Sequence, residues 1–134
     1  MFRIFISSFF FCISIFTWAQ SSLVNVNSIP PNKNATNVFV QALYSDSANV
    51  SSFLIQIKKE VKKHKHLSHA EHVLVVEGEG KMTLGDSTFS IKKGDLIFIP
   101  RNTFHSVITT SGEALKVLSI QAPFFDGTDR VFSE

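Results

Sequence analysis

Three histidines and one glutamate have the types and spacing best suited to holding a metal ion. His64 and His66 are two residues apart, so on a β-strand both imidazoles project from one face and can approach one ion. Glu71 follows after enough chain to turn and begin another strand, and His105 follows a later apolar run. This mixed set suits divalent Fe, Mn, Ni, Co or Zn. A six-coordinate ion would keep two positions open for water, substrate or oxygen.

The segments that must position these residues are typical of an all-β protein. Runs of four to six mostly β-branched and aromatic residues recur between turn residues, a spacing that indicates a sandwich or a small barrel. No helical period persists over a dozen residues beyond the N-terminal segment. The predicted strands are 38–43, 53–57, 73–76, 81–84, 88–91, 96–99, 106–109 and 115–120, with a further short strand at 23–26.

The two-residue period of a strand assigns a face to each candidate near Glu71. Glu71 shares its face with Val73 and Val75, so its carboxylate is expected to point inward. His72 is expected to point outward. His69 lies in the connection before the strand and is expected at the rim, not among the ligands.

Two of the predicted strands, 73–76 and 96–99, are apolar on both faces. A small barrel has one interior, so their second faces need another cover. The N-terminal strands or a second subunit can supply it, and we favour a homodimer.

The first nineteen residues are predicted to be an export signal. Arg3 supplies the positive charge, the apolar run 4–16 is shorter than the roughly 20 residues of a membrane span, and 17–19 place small residues before a cleavage site. An uncleaved membrane anchor is the alternative. Segment 20–36, rich in Ser, Asn and Pro, is predicted to be flexible, which leaves 37–134 as one folded domain. We therefore expect a secreted or periplasmic protein without membrane association after cleavage.

Composition excludes two broad classes of protein. With 18% charged and 44% hydrophobic residues, the chain is not wholly disordered. Thirteen basic against eleven acidic side chains argue against a general nucleic-acid binder, so a small-molecule substrate is the expected partner. Cys12 is the only cysteine and lies in the predicted signal, so the exported domain has no disulfide or thiolate chemistry.

Two spacings in the chain resemble the two motifs of the cupin family. The first is His64-x-His66-x4-Glu71-x6-Gly78, and the second is Gly94-x5-Pro100-x4-His105. The resemblance extends from about residue 58 to 109, and only 15 residues separate the two glycines, as in compact microbial members.

The resemblance implies a double-stranded β-helix barrel, often dimeric, with the metal inside. It implies that the metal ligands are His64, His66, Glu71 and His105. The chain departs from the family pattern at three turn or edge positions, where Lys58 and Asn102 replace glycines and Thr109 replaces an asparagine. Because Asn tolerates positive φ better than most residues, the change at Asn102 bears on loop shape more than on the ligands.

Two further residues are candidates for the catalytic machinery. Arg101, next to the second motif, can receive a carboxylate or sulfate in a bidentate contact, although a surface arginine is the plainer interpretation. Asp126 is a candidate acid or base in segment 123–127, which we expect to fold back over the barrel. The lysines of segment 58–65 can attract an anionic substrate or serve only to protect an edge strand from aggregation.

The cupin scaffold supports many activities, so fold alone does not give the function. The first hypothesis is an exported metal-dependent enzyme that acts on a polar small molecule, such as a uronate released from a polysaccharide, by Lewis-acid catalysis. An Fe(II)-dependent dioxygenase is the rival within the enzyme class. Other hypotheses are a non-catalytic module that binds metal or carbohydrate, and a surface binder of acidic polysaccharide.

Overall fold

The computed structural model describes residues 22–134, which form two antiparallel five-stranded sheets. Sheet order is β1-β2-β9-β4-β7 in the first and β10-β3-β8-β5-β6 in the second. The strands are β1 (Val38–Asp46), β2 (Val50–Ile57), β3 (Glu60–Lys65), β4 (Ala70–Glu77), β5 (Glu79–Leu84), β6 (Ser87–Lys92), β7 (Leu96–Ile99), β8 (His105–Thr109), β9 (Leu115–Ala122) and β10 (Val131–Phe132). The prediction of an all-β double-stranded β-helix is confirmed.

The predicted strands between residues 38 and 120 each correspond to an observed strand, whereas the predicted strand at 23–26 is wrong. A single turn of 3-10 helix, Val26–Ser28, forms there, because the Asn25 side chain accepts a hydrogen bond from the backbone of Asn27. The predicted signal 1–19 lies outside the described residues. Within 22–134, the structure has no helix of the length and apolarity that a membrane crossing requires.

The hydrophobic core lies between the two sheets. Its centre is formed by buried aliphatic side chains of β2, β4, β7 and β9 facing those of β5, β6 and β8. A bulge in β3 between Val61 and His64 matters for the site. Val61 pairs with Val107 and His64 with His105, so β3 has one residue more than β8 over this stretch. The extra residue turns both Val61 and His64 toward the interior.

The N-terminal segment covers part of the outer face of the first sheet. Its backbone carbonyls at Ile29 and Pro30 accept hydrogen bonds from the Lys116 ammonium (3.1 Å) and the Gln56 amide (3.1 Å). The backbone N–H of Asn32 donates to the Gln56 side-chain oxygen at 2.7 Å. These contacts explain why Gln56 and Lys116 are buried on an outward face.

The remainder of that outer face is apolar and exposed. Leu74 pairs with Leu96 across β4 and β7, and Phe98 and Ile120 flank His72. Leu96 and Phe98 are 65% and 52% exposed, far more than their inward neighbours Ile97 and Ile99. The N-terminal cover therefore stops short of the half of the sheet formed by β4 and β7.

Backbone geometry accounts for two motif positions in the turns. Gly78 has φ of +82°, and a Cβ there would lie 3.0 Å from the Ser111 hydroxyl and 3.1 Å from the Ala114 carbonyl, so only glycine fits. Asn102, which stands where the cupin motif has glycine, adopts φ of +57°. Asparagine is among the few side chains that tolerate this region, so the turn is kept despite the substitution.

Candidate metal centre

Three imidazoles converge at one end of the interior. His64 is near the end of β3, His66 directly follows that strand and His105 begins β8. All three are at most 5% exposed, and each offers a ring nitrogen within 4.8 Å of those of the other two. The ring centroids of His64 and His105 are 4.3 Å apart, and those of His64 and His66 are 5.1 Å apart. The pairing of β3 with β8 brings His105 opposite His64, and His66 joins them two residues further along the chain.

Each of these rings is oriented by a hydrogen bond from its Nδ1 atom to a backbone carbonyl. His64 Nδ1 contacts the carbonyl of Lys62 at 2.8 Å, His105 Nδ1 contacts that of Thr103 at 3.0 Å, and His66 Nδ1 contacts that of Asp129. A carbonyl can only accept, so Nδ1 carries the proton in all three rings. The Nε2 lone pairs are thereby left for a metal, the arrangement usual in metal-binding histidines.

Glu71 lies beside two of the three imidazoles. Its Oε2 atom is 3.8 Å from His66 Nε2 and 3.6 Å from His105 Nε2, distances that one ion between them could bridge. Its other oxygen, Oε1, accepts hydrogen bonds from the Ser119 hydroxyl (2.5 Å) and the Gln121 amide (3.4 Å). These partners hold the carboxylate in place and leave Oε2 directed at the histidines.

Burial keeps the imidazoles in the form that binds metal. Removal from water and, to a smaller extent, the adjacent His105 together lower the pKa of His64 to about 4. Burial also lowers the pKa of His105 to about 4. Both rings are therefore neutral at physiological pH. Three buried imidazoles beside a carboxylate fit a divalent transition metal such as Fe, Mn, Ni, Co or Zn.

The cluster opens on a cavity of about 270 Å³ between the two sheets. Aliphatic side chains form most of its wall, and its polar lining includes Gln121, Asn37 and Glu60. Arg130 also lines it, and the positive charge of this guanidinium contributes to the low pKa values of His64 and His105. The cavity therefore combines an apolar wall, a cluster of imidazole nitrogens and two cationic side chains, Lys62 and Arg130.

The structure does not bring the two predicted catalytic residues to this cavity. Arg101 is exposed in the turn after β7, and Asp126 is exposed near the C-terminus with its carboxylate bound to the backbone and hydroxyl of Thr128. Neither lines the cavity. Hydrogen bonds from Thr128 lower the pKa of Asp126, so this group is a carboxylate at neutral pH. The cationic side chains that do line the cavity are Arg130 and Lys62, and both are also exposed to solvent.

The segment after β9 folds back over the site and supplies contacts that the sequence did not reveal. Phe125 is buried and packs edge-on against His66, with ring centroids 5.0 Å apart. Asp129 accepts hydrogen bonds from the backbone of Leu67 (2.9 Å) and of Ser68 (2.8 Å). Burial alone would raise the pKa of Asp129, but the hydrogen bonds from Ser68 and His69 outweigh it and lower this pKa well below its usual range. The C-terminal segment thus anchors the loop that follows His66.

The remaining histidines differ from the triad. His72 is exposed and stacks near Phe98, on the outward face as expected. His69 is not at the rim, because it is buried with only 6% of its surface exposed. Its Nδ1 contacts the Asp129 carboxylate, and its Nε2 contacts the Phe124 carbonyl at 2.7 Å. Both ring nitrogens of His69 are therefore held by oxygen atoms of the C-terminal segment, and His69 is not among the histidines whose ring nitrogens lie within 4.8 Å of one another.

Sequence patterns contained a signal for some of the missed residues. Ser119 and Gln121 share the inward face of β9 with Val117, and a polar residue on a core-facing position indicates a buried polar site. No comparable signal marks Asp129 or Arg130, because their position depends on how the C-terminal segment returns.

The model of the cupin domain family matches residues 52–121, just over half of the chain. The chain belongs to the cupin family. The match covers β2 through most of β9 and includes all four ligand candidates. The structure of this cupin is similar to that of an uncharacterised conserved protein with a double-stranded β-helix domain from Klebsiella pneumoniae. The TM-score is 0.69 and the identity is 17%, over 86% of this chain and 99% of the other.

Curated relatives of this cupin include proteins of very different length. An uncharacterised protein of Aquifex aeolicus is 34% identical over 87 residues, which cover 65% of this chain and 71% of that protein. Mannose-1-phosphate guanylyltransferase RfbM of Salmonella typhimurium is 32% identical over 66 residues. That match covers 49% of this cupin but only 14% of the guanylyltransferase.

Proposed function

We propose that this cupin is a metal-dependent enzyme that acts on a small, polar, anionic molecule, with a sugar acid as the leading candidate. The observation that carries the proposal is the convergence of three buried imidazoles on a cavity that Arg130 also lines. His64, His66 and His105 would hold the ion, with Glu71 as the fourth ligand. A bound divalent ion supplies Lewis-acid polarisation of a substrate oxygen.

The chain's own residues have separate tasks in this proposal. The backbone carbonyls that accept from Nδ1 fix the orientation of the three imidazoles. Ser119 and Gln121 hold Glu71 as a ligand, so we do not assign it the role of general base. Arg130 is exposed where it lines the cavity, so its guanidinium can bind an anionic group that enters from solvent. Arg130 therefore takes over the role that the sequence suggested for Arg101.

A carbohydrate-related substrate is supported by similarity to the RfbM guanylyltransferase, which is named for the sugar phosphate mannose 1-phosphate. The segment that the two proteins share covers 49% of this cupin.

We also propose that the protein is exported and forms a homodimer. Export rests on the sequence of residues 1–19. Dimerisation would cover the exposed apolar patch of Leu74, Leu96, Phe98 and Ile120. Sedimentation of the wild type beside a Phe98→Glu variant tests the dimer, and a wild-type protein that sediments as a monomer would contradict it.

Metal analysis is the first test of the proposed enzyme. The protein, purified without the predicted signal, should contain close to one divalent ion per chain, and the His64→Ala, His105→Ala double variant should contain almost none. Equally low content in both would contradict the proposal. Turnover of candidate sugar acids with and without oxygen then separates Lewis-acid chemistry from the alternative, an Fe(II)-dependent dioxygenase.

One observation favours a second candidate, a non-catalytic module that binds metal or carbohydrate. Most of the cavity wall is aliphatic, and among residues 22–134 the acidic side chains that line it are Glu71 and Glu60. Glu60 is exposed at the mouth. Stoichiometric binding of sugar acids without any turnover would favour this module over the enzyme.

A further inference from the structure

Gln121 carries a buried acceptor oxygen that the rest of the protein does not use. The side chain is 3% exposed and lines the cavity beside Glu71. Among residues 22–134, no group donates a hydrogen bond to its Oε1 atom. Buried polar atoms almost always have partners, so a lone acceptor on a residue that lines a cavity indicates a donor supplied from that cavity.

The orientation of the Gln121 amide follows from its neighbours. Its Nε2 atom donates to Glu71 Oε1 at 3.4 Å and to the Ser119 hydroxyl at 3.2 Å. The Ser119 proton is already committed to Glu71 at 2.5 Å. Rotating the amide by 180° would place its oxygen against a carboxylate and a hydroxyl oxygen with no proton to offer, which is repulsive. The hydrogen-bonding requirement of Glu71 therefore keeps the acceptor oxygen away from its carboxylate.

A second buried glutamine on the same sheet, Gln56, has hydrogen-bond partners for both ends of its amide. Gln56 is also 3% exposed, but it lies on the outer face, where its nitrogen donates to the Pro30 carbonyl and its oxygen accepts from Asn32. Both ends of that amide are satisfied by the chain itself. Burial of a glutamine in this fold thus does not by itself leave an unused acceptor.

From this contrast we propose that Gln121 determines substrate specificity, by accepting a hydrogen bond from a hydroxyl group of the ligand. This inference rests on the proposed function and refines it: the anionic substrate carries a hydroxyl near the group held at the metal centre, as hydroxy acids and sugar acids do. A ligand that keeps the oxygen but lacks its proton leaves the acceptor unsatisfied and binds more weakly.

Glycolate and methoxyacetate are probes that separate these properties. Both have a carboxylate with an adjacent oxygen, but only the glycolate oxygen has a proton to donate. Titration of the Co(II)-loaded protein, followed by the visible absorption of the ion, should show that glycolate binds about tenfold more tightly. Equal affinity in the wild type would overturn the role of Gln121, including the case in which only a water molecule meets the acceptor.

Two variants show whether a preference for glycolate comes from the Gln121 amide or from the bulk of the extra methyl group in methoxyacetate. In Gln121→Met, the preference for glycolate should fall about tenfold relative to the wild type, whereas Gln56→Met should keep it. Equal preferences in the wild type and Gln121→Met would overturn the proposal. Should Gln121→Met fail to fold, the wild-type titration still decides. Failure to bind Co(II), or to bind either acid, would overturn the proposed function itself and this inference with it.

Discussion

Four buried histidines occupy this end of the protein, yet they form two different kinds of site. His64, His66 and His105 each bond a backbone carbonyl through Nδ1 and keep Nε2 available. His69 is equally buried, and its ring centroid is 6.2 Å from that of His66, but both its nitrogens are engaged by Asp129 and Phe124. Burial and clustering alone therefore do not identify a metal ligand. The decisive property is a lone pair that the protein has left free.

The largest expected effect of this difference between the histidines is on metal content. His64→Ala should lower metal affinity at least about 100-fold, because one of the few ligands is lost. His69→Ala should retain the metal and instead lower the free energy of unfolding by about 2 kcal/mol, since a buried polar contact is removed. Metal analysis and denaturant unfolding of both variants measure this. Loss of metal in a folded His69→Ala protein would contradict the distinction between His69 and the three ligand candidates.

Glu71→Gln should have the next largest effect. The amide keeps the size of the side chain but replaces a charged ligand by a neutral one, so we expect metal affinity to fall about 10- to 100-fold in a folded protein. Competition with a chelator of known affinity provides the measurement, and a circular dichroism spectrum like that of the wild type is the control. Unchanged affinity would remove Glu71 from the ligand set.

Asp129→Ala tests whether the two histidine sites communicate. The substitution removes the acceptor of Ser68 and His69 and should loosen the segment whose carbonyl orients His66. We expect a lower melting temperature and about a tenfold loss of metal affinity. The neighbouring Asp126→Ala, which removes only a local contact with Thr128, is the matched control. Similar metal affinity in both variants would show that the hydrogen bonds of Asp129 do not affect the metal centre.

The smallest expected effect is a pH dependence of the metal-free protein. The pKa of His64 and of His105 is about 4 when folded, against about 6.5 when unfolded, so the unfolded chain binds more protons between these values. The free energy of unfolding should therefore have its full value above pH 6.5 and decrease as the pH falls through this range toward 4. A His64→Gln, His105→Gln variant should show a flatter profile over this range. Identical profiles would indicate that the two rings titrate normally.

For the exposed apolar half of the first sheet, strand periodicity predicts the face of each residue but not what covers that face. Alternation assigned Glu71 and His72 to opposite faces, and the structure has one buried and the other exposed. The same alternation required a cover for the outer face but could not say what it is. Residues 29–32 cover Gln56 and Lys116, whereas Leu96 and Phe98 remain exposed.

The sequence by itself determined eight of the ten strands in residues 22–134, the inward direction of Glu71 and the four ligand candidates, because strand alternation and motif spacing are local properties of the chain. It did not predict β3, which has few apolar residues, or β10, which is two residues long. It could not locate His69 or Arg130, or choose Arg130 over Arg101, because those positions depend on the return of the C-terminal segment over the barrel. Local carbonyls two residues away orient His64 and His105. Tertiary structure alone decided how His66 and His69 are held and that the Gln121 oxygen lacks a partner among residues 22–134. Hydrogen bonds of His66, His69 and Gln121 join residues 50 to 63 positions apart, and no local pattern records them.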